Sequence, residues 1–173
     1  MSSLLERLRK NKDDRGMMAN LRCILVEKKK HRAWPVLNRL GVPITEEVPA
    51  FVAGLYATHP DGDSELVKNF GETCKRIELA RGEDTTEFSG NADNAKKKNL
   101  SPTERRFQHL LAADRSEIPE RVMRMVLMAK SQGVSINYEK LMHDLKYWGE
   151  RTKTAWAAAF WAPGAEPVDE EVV

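Results

Sequence analysis

The chain has 173 residues, 41% of them apolar and 31% charged, with a formal net charge of +2. Those values suit one or two small globular domains and exclude a disordered polyelectrolyte. No run of about 18 apolar residues occurs, which excludes a helical membrane span. The first residues, MSSLLERLRKNK, lack the apolar stretch of a signal peptide. Cys23 and Cys74 show no CxxC or Cys/His spacing and read as ordinary thiols of a cytoplasmic protein.

Almost the whole pattern is helical, and long alternating β-branched runs are missing. Asp13 or Asp14 caps a helix expected to reach about Lys30, with Met17, Met18, Leu21, Ile24 and Leu25 on its apolar side. The cationic KKKHR that follows suits the C-terminal end of a helix dipole. Pro35 suits the first turn of a short helix through Leu40, stopped by Gly41. Thr45, Glu46 and Glu47 open another, which carries Phe51, Val52, Leu55 and Tyr56 and ends near His59-Pro60. A further helix starts at Ser64 or Phe70 and runs to about Arg81. Residues 82–101, GEDTTEFSGNADNAKKKNLS, are polar and nearly free of core residues, which predicts a long surface loop between two helical halves.

Beyond that loop, Ser101 or Thr103 opens a helix with Phe107, Leu110 and Leu111 on its buried stripe. Ile118, Val122, Met125, Val126 and Ala129 mark the next, stopped by Gly133. Asn137 caps the last, whose apolar register runs from Tyr138, Leu141, Met142, Leu145 and Trp148 to Thr152, Trp156, Ala159 and Phe160. That register survives Gly149, so the spacing predicts one long helix or two nearly collinear ones. Residues 163–173, PGAEPVDEEVV, read as a frayed acidic tail.

The small net charge conceals a strong segregation. Residues 1–42 hold 11 Lys/Arg against 4 Asp/Glu, and residues 43–95 hold 4 against 11. Residues 96–162 hold 13 against 7, and the last eleven hold 0 against 4. Two basic blocks thus alternate with an acidic block and an acidic tail. Such a pattern favours a polyanion on one surface and protein contacts on another.

Enzyme signatures are absent. His31, His59, His109 and His143 form no HExxH, and none pairs with a second His or Cys at metal-ligand spacing. No GxSxG, P-loop or GxGxxG occurs. Neither a catalytic centre nor a cofactor is expected.

The basic side chains are more informative once placed on helices. Arg105 and His109 share the face opposite Phe107, while Arg106 lies on the flank, its stem beside Leu110. Arg121 and Arg124 share one flank of the next helix, and Lys130 lies elsewhere. Lys140 and Arg151 project from one outward side of the last segment, and Lys146 and Lys153 from one flank. Arg22 and the cluster of Lys28, Lys29, Lys30 and Arg32 supply cations early in the chain. Dispersed Lys/Arg contacts suit phosphate backbones, where summed neutralisation gives affinity without reading sequence. No zinc finger, basic zipper or aromatic RNP pair is present. Trp148 and Trp156 fall on the apolar stripe and read as core. Trp34 and Trp161 lie off it and are candidate interface anchors. Met123, Met125, Met128 and Met142 read as adaptable core or as a protein-docking patch.

DRGMMANLR, AWPVLNRLG, ATHP at 57–60, NFG at 69–71, ERRFQHLLAADR and LMHDLKYWG together resemble the CasB family. That family is the small subunit of the type I-E Cascade complex of CRISPR immunity. The resemblance runs from about residue 14 to 162, and its specificity lies in the order and spacing of the motifs. It implies an all-α protein of two small bundles without enzymatic activity. It also implies paired copies that bridge the backbone and large subunits of an RNA-guided complex. Basic surfaces there hold guide RNA, target DNA and the displaced strand, while base pairing reads the sequence.

Carried onto this chain, the resemblance marks Arg22, Arg105, Arg106, Arg124, Lys130 and Arg151. His143 stands where relatives often carry arginine, so its charge depends on pH. Leu127 also occupies an often basic place, which shifts the expected surface towards Arg121 and Lys146. Lys96–Lys98 are a possible compensation.

The resulting expectation is an all-α chain with an N-terminal bundle and linker over 1–95 and a C-terminal bundle with acidic tail over 96–173. Its nucleic-acid contacts are Arg22, Lys28, Lys29, Arg105, Arg106, Arg121, Arg124, Lys130, His143, Lys146 and Arg151. The partners are guide RNA, target DNA, the other Cascade subunits and a second copy of the chain. The alternative is a structural adaptor whose basic blocks dock acidic faces of its neighbours.

Overall fold

Side chains cap the N-termini of five α-helices among the described residues. A computed structural model describes residues 2–83 and 100–162. Most of the 82–101 loop, Lys96–Lys98, the boundary at residue 95 and the tail 163–173 lie outside the described residues. Among those residues every regular element is helical, and no helix is long and apolar enough to cross a membrane.

Helix α1 (Leu4–Lys10) was not expected, yet its start is written as Ser-x-x-Glu. The Glu6 amide donates to Ser3 Oγ at 3.2 Å, and the Ser3 amide donates back to the Glu6 carboxylate at 3.1 Å. Helix α2 (Arg15–Arg22) starts on Asp14, which accepts the Met17 amide at 3.0 Å. Helices α3 (Trp34–Arg39), α4 (Glu47–Thr58) and α5 (Phe70–Ala80) follow. Asn69 caps α5 by accepting the Glu72 amide at 3.1 Å. Helix α6 (Pro102–Leu111) begins with a second capping box, Ser101 with Glu104. Helix α7 (Ile118–Gln132) ends at Gly133 in the left-handed region, φ 66°. Helices α8 (Tyr138–Lys146) and α9 (Glu150–Phe160) complete the chain.

Two expectations about helix length are corrected. The helix expected to reach Lys30 stops at Arg22, and short 3-10 turns at Cys23–Leu25 and Lys30–Ala33 replace its second half. The bend presses Ile24 and Leu25 onto α4 at Gly54, where a β-carbon would meet the Leu25 side chain at 3.1 Å. The long or collinear C-terminal helix is instead two helices at an angle. A straight path would separate Asp144 and Trp156 by about 18 Å along the axis, beyond the reach of the two side chains. The Trp156 indole nevertheless donates to the Asp144 carboxylate at 2.8 Å, so the chain turns back between α8 and α9. The Thr152 hydroxyl fixes the turn by donating to the Tyr147 carbonyl at 3.0 Å.

Helix α4 is the centre of the molecule. Residues Pro49 to Thr58 are buried except half-buried Phe51, so this helix is enclosed on nearly every side rather than along one stripe. It packs on α2, α7 and α8. Helix α5 meets α6, α7 and α9. One continuous core therefore contains Leu37, Leu55, Tyr56 and Phe70 together with Phe107, Val126, Tyr138, Trp156 and Phe160. Edge-on and tilted rings join the two parts of the chain: Tyr56 with Tyr138 at 5.5 Å, and Phe70 with Trp156 at 5.3 Å.

Hydrogen bonds repeat the same joint. Asp63 and Ile136 pair in an isolated parallel bridge, with the Ser64 amide on the Ile136 carbonyl (3.0 Å) and the Ile136 amide on the Gly62 carbonyl (2.7 Å). His59 Nε2 lies 2.8 Å from the Val134 carbonyl, which only accepts, so that nitrogen carries the proton. The Tyr138 hydroxyl donates to the His59 carbonyl at 2.7 Å. Asn69 Nδ2 reaches the Ala155 carbonyl, and the Thr73 hydroxyl reaches that of Ser135. ATHP and NFG thus act as fasteners between sequence-distant helices.

Candidate nucleic-acid interface

The cations expected to bind nucleic acid fall into separate patches. Helix α7 explains the separation. At 100° per residue, Lys130 points about 180° from Arg121 and about 120° from Arg124 around the helix.

The first patch is a groove between α2, the end of α4 and the end of α7. It is lined by Lys12, Arg15, Arg22, His59, Asp61 and Lys130, and encloses about 610 Å³. Arg22 lies across the end of α4, where its guanidinium donates to the Ala57 carbonyl at 3.2 Å. Lys12 is held by Asp61 at 2.8 Å, and this exposed pair raises the lysine pKa and lowers that of the aspartate. Arg15 and Lys130 make no ion pair among the described residues. Arg22 and Lys130 were expected from opposite ends of the sequence, and the fold brings them to one groove. Lys12 and Arg15 were missed, although the dense charge of RKNKDDR pointed to them.

The second patch lies between α6 and α7, where Arg106, His109, Arg121 and Arg124 line a pocket with Glu117 and Glu120. Its cations are not equivalent. Arg121 donates to the His109 carbonyl at 2.6 Å and pairs with Glu117 at 3.2 Å. Arg124 pairs with Glu120 at 2.5 Å, both side chains largely exposed. Arg105 and Arg106 are exposed and have no ion pair among the described residues. Adjacent arginines therefore address two directions, Arg106 into this pocket and Arg105 outward.

The third region is the corner between α8 and α9. His143 stacks at a tilt on Tyr147 with ring centroids 5.0 Å apart, and its Nδ1 lies 3.5 Å from Asp144. Lys140 pairs with the same carboxylate at 3.1 Å. Lys146 and Arg151 are exposed and unpaired among the described residues. Lys28 and Lys29 stand apart from all three regions, in the exposed turn between the 3-10 segments.

The tryptophans redistribute relative to expectation. Trp156 is fully buried, but Trp148 is only half-buried, edge-on to Trp156 at 5.0 Å and with Lys153 over its face at 5.8 Å. Trp161 is not free to anchor a partner. Its indole donates to Glu104 at 2.8 Å, and its ring packs on Phe107 and Phe160. Met125 is buried, while Met123, Met128 and Met142 pack half-buried on the core. Among the described residues, no group of three His, Cys, Asp or Glu side chains could hold a metal ion. Burial raises the pKa of the Cys74 thiol, which suppresses its thiolate.

The sequence profile of the family described as CRISPR-associated protein Cse2 matches residues 8–161. The chain belongs to the Cse2 family. CasB, named from the sequence motifs above, denotes the same group. Three solved structures share the fold. A Cse2-family CRISPR-associated protein from Thermus thermophilus is 21% identical, with a TM-score of 0.65 over 92% of this chain and 94% of that one. A structure of CasB from the same organism is 22% identical, with a TM-score of 0.63 over the same shares. CasB from M. ruber is 22% identical, with a TM-score of 0.65 over 92% of this chain and 90% of that one. Among curated proteins no match is found. The Cse2 match spans all three cationic regions.

Proposed function

We propose that the chain is a non-catalytic subunit of the RNA-guided complex Cascade, and that it holds nucleic acid by its phosphates without reading sequence. The groove between α2 and α7 carries this reading. Arg15, Arg22 and Lys130, up to 115 positions apart in the chain, line one concavity whose Asp61 is already engaged by Lys12. Arg105 and Arg106 form a second contact, and Lys146 and Arg151 a third. Arg121 serves mainly to tie α7 to α6. Residues 1–95 and 96–173 act as two halves, each lending cations to the groove. The strands held are the guide RNA, the target strand and the displaced strand, and the partners are the backbone and large subunits and a second copy of this chain.

A gel-shift titration at rising salt tests the proposal. Binding to single- and double-stranded oligonucleotides should show little sequence preference and a steep fall with salt. Absence of binding at low salt would leave the adaptor reading, in which the same cations dock acidic faces of protein neighbours.

A further inference from the structure

We propose that the corner between α8 and α9 is a stacking subsite for unpaired bases, built on the His143–Tyr147 ring pair. It rests on the nucleic-acid reading above and adds a class of contact that phosphate-binding cations do not make.

Tyr147 is 68% exposed. Its backbone is nonetheless fixed on both sides. The amide donates to the His143 carbonyl at 3.2 Å, and the carbonyl accepts the Thr152 hydroxyl at 3.0 Å. A rigid backbone thus presents a large ring that the core does not use. Its aromatic neighbour is His143, at 5.0 Å and tilted by 50°, also on the surface. Two adjoining, mostly bare ring faces on a fixed corner are the geometry of a base platform. Every base offers a π face, so such a platform tolerates any sequence.

The charge around the rings selects the ligand class. Lys146 adjoins Tyr147, and the Thr152 bond brings the first turn of α9, with Arg151, against it. Neither cation has an ion pair among the described residues. Two of the carboxylates nearby, Asp144 and Glu150, already face other groups. Asp144 is buried and holds Lys140 and the Trp156 indole. Glu150 lies 3.8 Å from Lys153. Glu139, one turn before His143, and Glu65 line a surface pocket with the histidine, so they flank that ring rather than Tyr147. Exposed rings beside free cations fit a strand that offers bases and phosphates together. In a duplex the base faces are already stacked, so the subsite distinguishes single strands from duplexes.

The test titrates the full chain with a single-stranded oligothymidine containing one 2-aminopurine, and with a duplex of equal length. Tyr147→Ala and Tyr147→Phe are compared with the parent chain, and thermal melting confirms that each variant is folded. The expected result for Tyr147→Ala is about tenfold weaker single-strand binding, loss of the fluorescence change on binding, and unchanged duplex affinity and salt slope. Tyr147→Phe should bind like the parent. If Tyr147→Ala bound single strands like the parent, with the same fluorescence change, the stacking subsite alone would be overturned. If the parent chain bound neither oligonucleotide, the phosphate reading would fall too, and the ring pair would be a protein contact.

Discussion

A β-carbon placed on Gly71 would lie 2.7 Å from the α-carbon of Trp156. Helices α5 and α9 therefore meet backbone to backbone. Gly71→Ala must push them apart, against the Asn69 bond to Ala155 and the Phe70–Trp156 ring contact. The expected cost is about 1–3 kcal/mol of stability, read as a lower urea midpoint. Cation-dependent binding of oligonucleotides should survive at temperatures where the variant is folded.

The two tryptophans of the C-terminal segment should differ. Trp156→Ala removes a fully buried ring and the indole partner of Asp144 Oδ2, leaving Lys140 on the other oxygen, for a cost of about 3–5 kcal/mol. Trp148→Ala removes a half-buried ring whose indole nitrogen has no hydrogen-bond partner among the described residues, and should cost clearly less. Denaturant unfolding of both variants checks the order; equal losses would mean that Trp148 carries core weight that its exposure does not indicate.

Arginine replacements should separate binding from folding. Arg105→Ala with Arg106→Ala should leave the melting temperature nearly unchanged and lower the single-strand salt slope by about 1.4, at about 0.7 per phosphate contact. Arg121→Ala should cost about 1 kcal/mol, because its guanidinium bonds the end of α6 at the His109 carbonyl. Melting curves and salt titrations on the same samples distinguish the two outcomes.

Acid should loosen the junction between α5 and α6. Burial works against the charge of Glu83, but the Thr103 amide at 3.0 Å and Arg81 at 2.7 Å outweigh it, so its pKa is lowered. A carboxylate lowered in the folded state stabilises above its unfolded pKa of about 4.3. That contribution is lost as pH falls through the depressed folded value. Glu83→Gln should therefore destabilise the protein at pH 6 and make the difference from the parent shrink as pH falls below about 4. Melting temperatures measured from pH 6 to pH 3 give the comparison.

Local chemistry was legible in the sequence, and long-range partners were not. Asp14, Asn137 and Gly133 mark helix ends by their own hydrogen bonding or backbone freedom, and the structure has them there. The Ser3–Glu6 box is equally local, but it escapes a reading of the N-terminus for targeting signals. The break at Arg22 is not local, since it exists to seat Ile24 and Leu25 on Gly54. The fold-back at Gly149 likewise depends on Asp144 receiving Trp156, a pairing that a continuous apolar register conceals. Among the binding candidates, helix periodicity separated Lys130 from Arg121 and Arg124. It gave no hint that Lys130 meets Arg22, because that proximity is made by α4 between them.

The contact between Glu83 and Thr103 also bears on covalent continuity. These residues bracket the polar segment, and a carboxylate–amide bond already holds its two ends together. The spacing of α5 and α6 is thus set by side chains rather than by the connecting peptide. Loop-closure entropy changes only slowly with length, so insertions or deletions between these ends should be tolerated, and after a protease cut the two fragments should remain docked through the Asp63–Ile136 bridge and the Gly71–Trp156 crossing.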